Sequence, residues 1–187
     1  MGRSDAYTQQ DYWLVTMIVS SSNIRLRALE PSDLELLYLW ENDPEVWRVS
    51  GTLSPISRER LIHFIEEQNY DIYATRQMRL IVEADSRIVG SVDIFDFDPQ
   101  HRRFGIGVLI YENNDRRKGY AKESINAIIE YGRKTLNLKQ IWATITADNS
   151  ASIALFESCG FSLCGRRKEW ICRGGEFIDE LEYQLIL

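Results

Sequence analysis

The spacing of apolar residues changes several times along this chain, and each change marks an element. "NIRLRAL" (23–29) alternates and predicts a strand, while "PSDLELLYLWEND" (31–43) opens with Pro, Ser and Asp before apolar residues at helical spacing and predicts a helix. "SRERLIHFIEEQNY" (57–70) begins with a serine suited to an N-cap and sets Leu61, Ile62 and Ile65 on one face, which predicts a second helix. "MRLIVEA", the turn "DSR" and "IVGSVDIFDF" give two strands, and "DPQH" turns the chain into "RRFGIGVLI" (102–110), completing a meander of three antiparallel strands. From Gly119 to Leu136 the apolar positions Ala121, Ile125, Ile128, Ile129 and Leu136 recur at the helical period, so a long amphipathic helix is expected there. "QIWATITA" (140–147) reads as a strand, "NSASIALFESCG" (149–160) as a helix closed by glycine, and the remainder as a hairpin across "RGGE" (173–176).

Strands broken by helices, with one strand-helix-strand unit near the end, imply a mixed α/β sheet. At 187 residues, 44% of them hydrophobic and no repeat or linker interrupting them, one compact domain over 23–187 is expected. Residues 1–22 read as an N-terminal extension, disordered or added to the native chain; Met17 just precedes the first well-patterned strand. "YWLVTMIV" (12–19) has only eight apolar-rich residues, preceded by Asp5 and Asp11, and suits neither an export signal nor a membrane span of roughly 20 residues.

Charge narrows the partners. A net charge of -6 gives no basic face for nucleic acid or anionic membrane. Cys159, Cys164 and Cys172 make no CxxC pair and are odd in number, which points to reduced thiols in the cytoplasm. His63 and His101 lie far apart without metal-ligand spacing, so no metal is expected.

Against that acidic background, "NNDRRKGYAKES" (113–124) gathers Arg116, Arg117 and Lys118 at the start of the long helix. The first N–H groups of a helix have no intrahelical partner, and the macrodipole adds positive potential there, so a phosphate satisfies both. Gly119 lets the backbone approach an anion and Ala121 leaves room beside it. Cations at a helix N-terminus oppose the dipole by about 0.3–1 kcal/mol each, a local penalty that an arriving anion would lift. Neither GxxxxGK[ST] nor GxGxxG is present at that helix, which disfavours a nucleoside triphosphate or a dinucleotide.

"RRKGYA" (116–121) is similar to the coenzyme A motif [RQ]xxGx[GA] of the GNAT N-acetyltransferase superfamily, and three further blocks resemble that family in its order: "RLRALEPSDL" (25–34), "GIGVLI" (105–110) and "ADNSASIALFESCGF" (147–161). The resemblance covers about residues 24–187 and points to the branch with spermidine and ribosomal-protein N-terminal acetyltransferases. It implies a mostly antiparallel sheet of about seven strands flanked by four helices. It implies acetyl-CoA as co-substrate, its pyrophosphate on the amides of residues 117–121 beside Arg116, Arg117, Lys118, Gly119, Tyr120 and Ala121. Pantetheine is expected along Val108, Leu109 and Ile110, with Asn149, Ser152 and Phe156 beside the coenzyme. Dimers are frequent in the resembling family, which makes a homodimer an expectation.

Acetyl transfer to a lysine-like amine of pKa about 10.4 needs help with deprotonation and stabilisation of oxyanion charge. A backbone N–H near Val108 suits the second task. Two departures from relatives bear on the first. Phe156 stands where many carry a tyrosine acid, and Gly105 where many carry a glutamate. Asp93 in the third strand is the preferred substitute base, with Glu83 and Asp96 as rivals. Direct transfer without a dedicated acid is compatible with a thiolate leaving group of pKa near 8.5. The acceptor is expected to be a primary amine, a peptide N-terminus or a small polyamine, with "WENDPE" (40–45), "IEEQNYD" (65–71) and "DIFDFD" (93–98) supplying acids and Arg48 in "EVWRVSGTLS" opposing a polycation. The competing class is a silent acetyl-CoA-binding sensor or structural subunit.

Overall fold

A computed structural model describes residues 17–20, as backbone only, and residues 23–187. The expectation for residues 1–16 lies outside the described residues; of the remaining extension, Met17–Ser20 forms a strand, β1. There follow β2 (Ile24–Ala28), a 3-10 turn over Pro31–Asp33, α1 (Leu34–Glu41), α2 (Pro44–Ser50), α3 (Arg58–Glu67) and α4 (Ile72–Thr75). The second half runs β3 (Met78–Ala84), β4 (Arg87–Asp98), β5 (Arg103–Ile110), α5 (Tyr120–Lys134), β6 (Gln140–Thr146), α6 (Ser150–Ser158), β7 (Ser162–Arg173) and β8 (Glu176–Ile186).

One eight-stranded sheet in the order β1-β2-β3-β4-β5-β6-β8-β7 organises these elements. Every neighbouring pair is antiparallel except β5 with β6, which is parallel. The mixed, mostly antiparallel class is the one expected. Among the described residues there are eight strands, β1 being the addition, and six helices; the two beyond the expected four are the short α2 and α4, of seven and four residues.

Local chemistry explains the boundaries. Ser57 caps α3 by accepting from the Arg60 N–H at 3.2 Å, and Asp43 caps α2 by accepting from Glu45, with Pro44 in the first turn and Gly51 in the left-handed region after the last. Asp85 and Ser86, both at positive φ, join β3 to β4 in the two-residue turn whose twist matches the strands.

The sheet is buried on both faces at its centre. Leu80 and Val82 pack toward Ile125 and Ile128 of α5, while their neighbour Ile81 packs toward Leu37, Trp40, Leu61 and Ile65 of α1 and α3. That two-sided burial is why the centre of β3, Leu80 to Val82, reads as a continuous apolar run rather than an alternating one. The strand β7, by contrast, is an edge and largely exposed.

Candidate active site

The site begins where the sheet parts. β5 and β6 pair only through Arg103–Gln140, Phe104–Ile141 and Gly105–Trp142, and then diverge. A cavity of about 350 Å³ opens beyond that seam, with Gly107, Val108 and Leu109 on the β5 side and Thr144, Ile145 and Thr146 on the β6 side. Backbone groups on strand edges that separate need partners from elsewhere, and an extended ligand carrying amides can supply them.

One wall is coenzyme-like in chemistry. Asn149 caps α6 by accepting from the Ser152 N–H at 3.1 Å, and both residues line the cavity with Phe156. Phe156 is buried against Phe161, ring centroids 5.1 Å apart, and carries no proton to give. A second cavity of about 240 Å³ shares Leu109, Thr146 and Asn149 and extends to Arg116.

Beyond Arg116 the chain enters α5. Gly119 is the N-cap at φ 90°, with no side-chain hydrogen bond to the first turn. A Cβ placed on it meets only Glu123 Oε1, at 3.9 Å, so a side chain there would have space. Arg117 is also left-handed, at φ 63°, an uncommon conformation for a side-chain-bearing residue and one concentrated at functional sites.

The three cations do not stand alone. Arg116 folds back to donate to the carbonyls of Ile110 and Tyr111. Lys118 donates to Asp115 at 2.9 Å, and Asp115, 2% exposed, is also held by both terminal nitrogens of Arg87. The Arg87 guanidinium, then the Lys118 ammonium, keep the Asp115 carboxyl well below the usual range. The expected penalty for cations at this helix end is therefore partly relieved from within, and Arg117 is the one of the three that no carboxylate or carbonyl among the described residues engages. Tyr120 enters the site through its backbone: its ring is buried in the core and its hydroxyl donates to Asp85 at 2.8 Å.

The other wall is acidic. Asp93 sits opposite Gly107 across β4 and β5 and lines the cavity. Arg79 donates through Nε to Asp93 Oδ1 at 2.5 Å and through Nη1 to Glu41, the last residue of α1. Burial alone would depress the Arg79 guanidinium, but the two carboxylates outweigh it and raise its pKa above the ordinary arginine value. Trp47 donates to the Glu41 carbonyl at 2.6 Å, and Tyr111, stacked on Trp40, donates to Asp43 at 2.8 Å, so the α1–α2 corner is tied to the end of β5.

Two rival carboxylates are set apart. Glu83 accepts from Arg25 and Arg27 across β2 and β3 and is not among the residues lining the cavity, so its charge serves the sheet. Asp96 lines a separate groove with Asp98, Arg103 and Trp142. The glutamate expected of relatives at position 105 has no room, because a Cβ on Gly105 would lie 2.2 Å from the Phe95 ring, which packs edge-on against Trp142. Sequence reasoning named neither Arg79 nor Arg173, Thr144 or Glu180, all of which line the cavity. A cation inside an apolar strand, as in "MRLIV", was the available signal for the first.

A splayed strand pair, a basic helix entrance and a cavity wall carrying Glu41, Arg79 and Asp93 fit an acyltransferase that uses a coenzyme. Residues 23–162 match the family described as the acetyltransferase (GNAT) domain, and the chain belongs to that family. It is 30% identical over 170 residues to the SPbeta prophage-derived uncharacterized N-acetyltransferase YokL of Bacillus subtilis, covering 90% of this chain and 89% of that one. It is 27% identical over 163 residues to the spermidine N(1)-acetyltransferase of Vibrio cholerae, covering 85% and 90%. Among solved structures, a Vibrio cholerae spermidine N-acetyltransferase in complex with CoA and spermine superposes with a TM-score of 0.80 at 24% identity, over 89% of this chain and 96% of that chain. The protein is an N-acetyltransferase that uses acetyl-CoA. Among the described residues no group of three or more metal-type ligands is present, and no helix is long and apolar enough to cross a membrane.

Proposed function

We propose that the acceptor is a primary amine, either a peptide N-terminus or a small polyamine, which enters between Asp93 and the end of α2 and receives the acetyl group directly. The observation that carries this reading is the divergence of β5 from β6 beyond Gly105, with Asp93 on one side of the opening and Asn149 on the other. The coenzyme, when bound, supplies an activated thioester. Amides 117–121 with Arg116, Arg117 and Lys118 would hold its diphosphate, and Val108, Leu109 and Ile110 its pantetheine arm. The backbone N–H at Val108 is assigned to the developing oxyanion charge.

Asp93 is the proton acceptor in this scheme. Arg79 engages one of its oxygens, which fixes the carboxylate and leaves the other for an incoming ammonium. With Phe156 unable to donate, the thiolate leaves without a dedicated acid. The acceptor remains a choice between two amine classes: Glu41 and Asp93 favour a cation, whereas Arg48 on the same cavity opposes a long polycation. The same reading places the enzyme in the cytoplasm, where the free thiols of Cys159, Cys164 and Cys172 would stay reduced, and carries a homodimer as its assembly, which sedimentation velocity would test.

The test is thiol release from acetyl-CoA across polyamines, aminoglycosides and peptides, with calorimetric titration on the same sample. Turnover on an amine, lost about 100-fold or more in kcat in Asp93→Asn with coenzyme affinity intact, supports the assignment of the base. Unchanged kcat in that variant would remove Asp93 from the chemistry.

A further inference from the structure

Arg173 ends β7, 125 residues along the chain from Arg48, yet it joins the two walls of the site. Its Nη1 donates to Asp148 Oδ2 at 2.6 Å and its Nη2 to the Arg48 main-chain carbonyl at 2.9 Å. Asp148 leads directly into Asn149, the cap of α6 on the β6 side of the opening. Arg48 is in the final turn of α2, and Ser50 and Gly51 just after it line the main cavity. Carbonyls in a helix's last turn have no intrahelical donor, so the planar guanidinium serves an orphan acceptor on one wall and a carboxylate on the other. Arg173 also lines both cavities, the larger one next to Asp93 and the smaller one that reaches Arg116.

An isolated exposed ion pair would hold little, because solvent screens it and side-chain entropy opposes it. Here the Arg173 side chain is 25% exposed and that of Asp148 39%, and what sets the contact apart is that one guanidinium engages two separate elements at once. The Asp148 carboxyl is kept below its usual range by the Thr146 hydroxyl first and by the Arg173 charge after burial is counted, so the pair is ionised at neutral pH.

We infer that Arg173 is a positioning residue for acetyl transfer, holding α2, the acceptor wall, in register with the coenzyme wall at Asn149. This rests on the assignment of the two walls given under the proposed function. Arg173 touches neither reacting group in this scheme; it acts through the placement of Arg48, Ser50 and Gly51.

Hydrogen exchange on the full-length chain tests the brace without any acceptor in hand. In Arg173→Ala the amides of residues 47–51 should exchange about tenfold faster or more, while those of α5 keep their protection. Asp148→Asn should reproduce part of that change, and Arg173→Lys should recover part of it, since one ammonium can engage only one of the two acceptors well. In the thiol-release assay with an active amine, acceptor KM should rise about tenfold in Arg173→Ala with acetyl-CoA affinity within about twofold. Unchanged exchange at 47–51, or an equal loss of protection in α5, would overturn the inference. So would a coenzyme affinity that falls as far as the acceptor's. Silence on every amine, with the exchange pattern as expected, would count against the proposed function and leave the brace standing.

Discussion

Gly119 shows how a single residue decides what a helix end can do. At φ 90° it leaves the first amides of α5 without a side-chain cap. Gly119→Glu would place a carboxylate where the coenzyme's diphosphate is assigned. Strain at positive φ should cost about 1 kcal/mol, partly offset by the dipole, so the fold should survive. Titration with acetyl-CoA is expected to show affinity weakened about 100-fold or more, with Tm changed by only a few degrees. Gly105 makes the opposite point. The absence of a glutamate there was visible in the sequence, but its reason was not, because Phe95 reaches position 105 only through the β4–β5 register. Restoring the relatives' residue with Gly105→Glu should destabilise by about 1–3 kcal/mol through overpacking, measurable in urea, and Phe95→Ala in the same chain should recover part of that loss.

At the scale of elements, long periodic segments declared themselves: α1, α3, α5, α6 and the strands from β2 to β8 fall within a few residues of where patterning put them. The missed helices are short. "PEVWRVS" is preceded by Asp43 and followed by Gly51, a start and a stop signal, but seven residues give barely two turns of period, and α4 gives one. The missing α2 mattered, since Val46, Arg48, Val49 and Ser50 line the cavity. The loop before α5 carries its own pH response. Asp115 is depressed in the folded chain by Arg87 and Lys118, so its contribution is full above the ordinary carboxylate pKa and fades as pH falls below about 4. An acid titration followed by circular dichroism should therefore show Asp115→Asn less stable at pH 7 and the difference from wild type shrinking toward pH 2.

For the whole molecule, the order of strands was the least legible feature. Nothing in "QIWATITA" announces that it lies parallel to β5 rather than beside β7, because pairing partners are chosen by the packing of distant faces. Of the local stretches singled out in the sequence, Arg116 and Asn149, Ser152 and Phe156 line the two cavities. The site was not legible where separated elements meet, as when Arg79 of β3 and Arg173 of β7 come to the cavity that Asp93 lines. The reaction as a whole also has a pH signature: in the proposed scheme the amine binds as an ammonium and Asp93 takes its proton within the complex, so kcat/KM should stay nearly flat between about pH 6 and 8. A climb close to tenfold per unit for an amine near pKa 10.4 would instead show that only the free amine binds. A flat profile would show that the free amine fraction does not limit the rate.

The three-rung contact between β5 and β6 divides the sheet into a five-strand block and a three-strand block. Any ligand that lays its own amides along that seam supplies rungs the polypeptide does not. Such a ligand is, in effect, a removable piece of the sheet. By mass action its presence at about 100 times Kd adds about 2.7 kcal/mol to the stability of both blocks together, so thermal melts should sharpen and shift upward as coenzyme is added.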